Sequence, residues 1–227
     1  MSEVIIKNQE LLAELNSGLD KFFAIEGRNN PKYHVSQPGD AKTNGLHYTS
    51  DEYIKEKLKM GDKHSGYPEE HFSQPISKMA EEDPDKWNQI MWEMKKELPA
   101  FIGAHSNALF NYYPPKGHVG WHTNWNANAY QILFSWSETG ESWFKYRDPE
   151  TKEVVTVQDK PGWNCRHYYF GHISERDHHC WHAMYTECER VTLAFKVVNG
   201  KGLHDPINPK AVQMRDQIIE DISNEDY

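Results

Sequence analysis

The chain has 227 residues, enough for one domain with a full hydrophobic core, and it reads as a single domain spanning 1–227. Lys and Arg number 25 against 34 Asp and Glu, and a net charge of −9 argues against strong non-specific binding to nucleic acid. Three cysteines without Cys-x-x-Cys spacing point to neither a disulfide framework nor a zinc module. No apolar run approaches the ~18 residues of a membrane span, so the expectation is a reduced, cytoplasmic protein with no membrane partner.

Leu11, Leu12, Leu15, Leu19, Phe22 and Phe23 recur at helical spacing and predict a helix over 8–23, with Gly27 just beyond as a stop. Residues 28–50 are rich in Pro, Gly, Asn and Ser and read as loop with one short strand near Tyr33 to Val35. Ser50-Asp51-Glu52 opens a short helix ended by Gly61, and the polar segment GDKHSGYPEEHFSQP reads as a connector. Asp83 before Pro84 predicts a helix over 84–98, whose Trp87, Ile90, Met91, Met94 and Leu98 make an apolar stripe best explained as core packing.

From residue 101 the period changes to two. Strands are predicted near 107–113, 118–124, 129–136, 142–147, 152–156, 166–171, 179–186 and 190–198, with turns at Thr139-Gly140, Asp148-Pro149 and Asn199-Gly200. Asn208-Pro209 opens a last helix over 209–222. A helical N-terminal part (1–100) followed by eight short strands (101–198) gives an α+β protein built on a jelly roll, a cupin-like sandwich with flanking helices.

Within the strands, NYYPPKGHVGWHTNWN places His122 and Asn124 two residues apart, on one side of an extended chain. A second histidine, His182, follows in DHHCWHAMY, and the alternating RVTLAFK begins with Arg190 and ends with Lys196. Two histidines and one carboxylate with open positions form the ligand pattern of non-haem iron oxygenases, and here the carboxylate position holds Asn124. The other histidines of this half, including His105, His118 and His167, lack that context and read as ordinary residues.

In the order and spacing of these elements the stretch from Asn111 to Val197 resembles the Fe(II)/2-oxoglutarate-dependent dioxygenases, and within them the AlkB-like branch, a double-stranded β-helix. That resemblance implies a metal held by His122, Asn124 and His182, with Asn124 where the family has aspartate. It implies 2-oxoglutarate held by Asn111, Tyr113, Arg190 and Lys196, and O2 as the oxidant. Lys196 stands where the pattern has a second arginine and keeps the charge without the bidentate fork.

An amide oxygen is neutral and a weaker donor than carboxylate, and it fills the space that halogenating relatives leave for halide. The implied reaction is hydroxylation or oxidative demethylation of an unidentified small-molecule, nucleobase or peptide substrate. Trp121, Trp125, Tyr130, Trp136, Trp143, Trp163 and Trp181 are partly core and partly candidates for the mouth of the sandwich. Two other readings fit the same residues: a jelly roll that binds a small acid or sugar without redox chemistry, and a cupin-type isomerase or hydrolase.

Overall fold

The computed structural model describes residues 1–63, 65–124, 130–171, 180–197 and 209–225. Eight consecutive strands form the body: β4 (Ser106–Tyr113), β5 (His118–His122), β6 (Tyr130–Ser137), β7 (Ser142–Arg147), β8 (Val154–Gln158), β9 (Gly162–Tyr169), β10 (His182–Thr186) and β11 (Arg190–Lys196). They pair antiparallel in the orders β9-β6-β11-β4 and β5-β10-β7-β8, so the chain crosses repeatedly between two four-stranded sheets. That strand order is a jelly roll, the double-stranded β-helix expected from the change of period.

Three further strands precede residue 101, and one of them, β2, is the short strand expected near Tyr33 to Val35, lying at Val35–Gln37. β1 (Ser2–Val4) extends the first sheet beside β9, and β2 (Val35–Gln37) pairs with β3 (His71–Pro75). β3 in turn pairs with both β4 and β5 and so joins the two sheets along one edge. The supposed connector therefore contains a central strand. Its buried His71, Ser73 and Gln74 are polar on both faces, which removed the alternation that would have revealed it.

Residues 28–50 are more regular than a loop with one strand: a 3-10 turn at Pro31–Tyr33 precedes β2, and helix α2 (Ala41–Tyr48) follows. The buried face of α2 is made of Ala41 and Gly45, too small to register as an apolar stripe. At Gly45 the small side is required, because a Cβ would lie 2.5 Å from Nδ1 of His118.

Helix α1 (Gln9–Ala24) starts where the Asn8 side chain accepts the Leu11 N–H at 2.9 Å, and α3 (Asp51–Leu58) is capped the same way by Ser50. Helix α4 (Ile76–Glu82) leads into α5 (Pro84–Trp92), a wider π-turn at Glu93–Glu97, and α6 (Leu98–Phe101). The widened turn falls just before Pro99, which has no N–H to continue the usual ladder. The last helix, α7, is Pro209–Ser223.

Leu11, Leu15 and Phe22 of α1, Trp87, Ile90 and Met94, and Ile218 and Ile222 of α7 share one apolar cluster with Phe110, Ile132, Phe134, Leu193 and Phe195 of the first sheet. The helices thus cover the outer face of that sheet and leave its inner face to the second sheet. Asn199, Gly200 and Asn208 lie outside the described residues.

Candidate metal and anion site

A cavity of about 230 Å³ lies between the sheets. His122 ends β5, and His182 begins β10 directly opposite it in the ladder. Paired residues share a face of a sheet, and the two imidazole centroids are 4.1 Å apart. Each Nδ1 lies 2.9 Å from a carbonyl oxygen two residues earlier, Gly120 for His122 and Cys180 for His182. A carbonyl can only accept, so each Nδ1 carries the proton and each Nε2 keeps its lone pair for the cavity.

Burial keeps both rings neutral. His122 is pushed well below the ordinary histidine range by burial and then by its neighbour His182, and burial lowers His182 to about 4. Asn124 lines the same cavity just past the end of β5. Beside it a reciprocal clasp fixes the chain: the Ser65 N–H donates to the Thr123 hydroxyl at 2.9 Å, and the Thr123 N–H donates to the Ser65 hydroxyl at 3.0 Å.

The opposite wall comes from β11 and β4. Arg190, Thr192 and Ala194 alternate onto the cavity, while Lys196, the last residue of the strand, is not among the lining side chains. Asn111 and Tyr113 line it from β4, and the Asn111 amide donates to the Tyr113 hydroxyl at 3.2 Å. Burial raises that phenol to about 12, so it enters the site as a neutral hydroxyl.

Arg190 is only 2% exposed. Its Nε donates to Asp159 at 2.8 Å, one terminal nitrogen donates to Ser135 Oγ at 2.8 Å, and the other donates to Thr192 Oγ1. Those three bonds use three of the five guanidinium N–H donors. Among the described lining residues Arg190 is the one side chain with a fixed charge, and there is no carboxylate. Nor do the described residues bring three His, Cys, Asp or Glu together in a way that could hold a metal.

The structure therefore gathers Asn111, Tyr113, His122, Asn124, His182 and Arg190 around one cavity and leaves Lys196 outside it. Sequence reasoning missed His71 and Ser73, which line the cavity from β3, and Asp159, Arg166 and Ser135, which surround Arg190. One signal for the second group was available: Arg166 is a charged residue at an alternating position in a strand that reads as buried.

The aromatic residues considered for the mouth lie elsewhere. Trp121 and Trp181 pack with Ile54, Tyr130 is in the main core, Trp136 and Trp163 pack against it, and Trp143 stacks on Tyr185. The aromatic lining is instead Tyr67, Tyr113, Phe144 and Phe170. Trp125 lies outside the described residues.

Two neutral imidazoles with fixed tautomers and a nearby amide oxygen fit a divalent cation as donors, although they bring no negative charge to it. No protein-family model matches the chain, and no curated protein does.

Solved structures similar to it include a Pseudomonas putida prolyl-4-hydroxylase, 12% identical over 82% of this chain and 100% of that one, TM-score 0.34. An oxalate oxidase is 13% identical over 54% and 62%, TM-score 0.31. A cupin domain from Bordetella pertussis is 18% identical over 41% and 81%, TM-score 0.26. The match to peruvianin-I, a cysteine peptidase from Thevetia peruviana latex, spans only 47% of that chain. Scores this low do not bear on activity, and the jelly-roll fold rests on the strand order itself. The three cysteines are free and buried, and no helix among the described residues is long and apolar enough to cross a membrane.

Proposed function

We propose that this protein is an Fe(II)- and 2-oxoglutarate-dependent oxygenase of AlkB-like type that hydroxylates or oxidatively demethylates a substrate. The observation that carries the reading is one cavity with two opposed poles. On one sheet stand two neutral histidines whose Nδ1 atoms are tied down, and on the facing sheet a buried arginine with no carboxylate among the described lining residues.

His122, His182 and Asn124 would hold the metal. When bound, Fe(II) supplies the electrons that activate O2, so that one oxygen atom enters a C–H bond and the other enters succinate as 2-oxoglutarate loses CO2. Arg190 and the Thr192 hydroxyl would receive the far carboxylate of 2-oxoglutarate, an arrangement suited to charge-assisted hydrogen bonds. Asn111 and Tyr113 offer neutral hydrogen-bonding groups between the poles.

Charge balance favours a dianion here. The metal ligands are all neutral, so a divalent cation keeps its full charge, and Arg190 adds another positive charge in a buried place. A 2-oxoglutarate dianion sets one carboxylate at each pole and offsets two of these three positive charges. Phe144, Phe170, Leu133 and Met184 give the cavity an apolar part of its lining.

Purified protein incubated with Fe(II), 2-oxoglutarate and O2 should form succinate, and His182→Ala should abolish that release. Calorimetry with 2-oxoglutarate and Mn(II) separates the alternatives. Binding without turnover would identify a carboxylate-binding jelly roll, whereas absence of both binding and turnover would refute the proposal.

A further inference from the structure

Behind Arg190 lies a second buried guanidinium that does not reach the cavity. Arg166 on β9 donates to Oδ1 of Asp159 at 2.6 Å and to the Gln158 carbonyl at 3.1 Å. Asp159 is fully buried in the turn between β8 and β9, and its Oδ2 accepts from Arg190 Nε at 2.8 Å and from the Ser142 hydroxyl at 3.0 Å. Each carboxylate oxygen is thus engaged, and the unit carries two positive charges and one negative.

Without Arg166 the count would differ. Asp159 and Arg190 would form a closed, neutral pair, and this end of the cavity would bring no net charge to an acid. We infer that Arg166 and Asp159 are positioning residues that act through Arg190: Asp159 fixes the guanidinium by its Nε edge, and Arg166 offsets Asp159 so that one positive charge remains for a carboxylate ligand. The inference rests on the cavity being a carboxylate site, as proposed above.

Three observations support it. Asp159 takes the Nε edge, away from the terminal nitrogens, and so leaves an N–H on each of them beyond the bonds to Ser135 and Thr192. The Thr192 hydroxyl accepts from Arg190 and lines the cavity, so its own proton can be given to a ligand. In the ladder Arg166 is paired with Leu133, and Leu133 with Ala194, which puts Arg166 in a row whose other two members line the cavity. The competing explanation is a structural staple between the β8–β9 turn and the first sheet.

Charge-count variants separate the two. Arg166→Gln brings the count to zero and should weaken 2-oxoglutarate binding by about 10- to 100-fold, the range for one unit charge acting through several ångströms of protein interior. Combining Asp159→Asn with Arg166→Gln leaves Arg190 as the one charge and so restores the count of plus one, while the Asn amide oxygen can still accept from Arg190 Nε, and should bring the affinity back to within a few-fold of the parent. Arg166→Lys should also retain most of it. Calorimetry with 2-oxoglutarate, with and without Mn(II), reads the affinities, and thermal melts show that each variant is folded.

An Arg166→Gln protein that binds as tightly as the parent, or a double variant no better than the single one, overturns the inference while the oxygenase reading stands. If the parent fails to bind 2-oxoglutarate, the oxygenase reading falls and succinate becomes the probe. Weakening and restoration of succinate binding by the same variants would uphold the charge count by itself, and no binding of either acid would overturn both.

Discussion

Acidifying the metal-free protein should weaken it through the buried histidines, and His182 allows the size to be worked out. Its pKa falls from 6.5 to about 4 on folding because burial disfavours the charged ring. The unfolded chain therefore binds a proton that the folded chain refuses, so stability is fully present above the unfolded pKa and is lost as pH falls below it. Between about pH 7 and about pH 4.5 this group alone should remove about 2.5 kcal/mol, and the loss levels off only below pH 4. His122 shifts in the same direction and adds to the loss.

Urea unfolding of the metal-free protein at a series of pH values measures the trend. A His182→Gln variant measured alongside removes the titration while keeping a buried polar group. Groups distant from the pair contribute equally to both proteins, so the difference in slope reads His182 together with the push it exerts on His122. Parallel curves over this range would show that His182 is not held neutral and would remove the argument for a lone pair waiting at Nε2.

Asn124→Asp should tighten Mn(II) binding by about tenfold or more, since an anionic oxygen beside two neutral imidazoles is the harder donor; metal titration with no gain would place Asn124 outside the coordination sphere. Arg190→Ala should cost about 2–5 kcal/mol of 2-oxoglutarate affinity by calorimetry, while Asp159 stays paired with Arg166 and the fold survives. Gly120→Ala should destabilise the protein by about 1–3 kcal/mol in denaturant unfolding, because the new Cβ would meet the Glu70 carbonyl at 2.9 Å. The same variant should also weaken metal binding, since the Gly120 carbonyl holds His122 Nδ1.

Much of the fold is legible because its signals are local. Several of the strands, β11 most clearly, alternate apolar and polar residues, turn residues separate them, and α1, α5 and α7 carry apolar stripes at helical spacing. β3 and α2 were not legible because their buried faces carry polar or very small residues. His71 and Ser73 look like loop residues until the strands on either side of them are in place. The same applies to Gly45, whose lack of a side chain makes sense only against His118.

The candidate site divides along the same line. A strand's period of two brings His122 and Asn124 onto one face, and the resemblance in motif order adds His182, Arg190, Asn111 and Tyr113. Only the tertiary structure sets His122 opposite His182 across the β5–β10 ladder, leaves Lys196 out of the lining and places Asp159 between Arg190 and Arg166. The physical reason is that hydrogen-bonded tautomers and buried charge are decided by contacts between residues far apart in the chain. A sequence lists the charges, but the folded interior decides which of them are offset and which remain for a ligand.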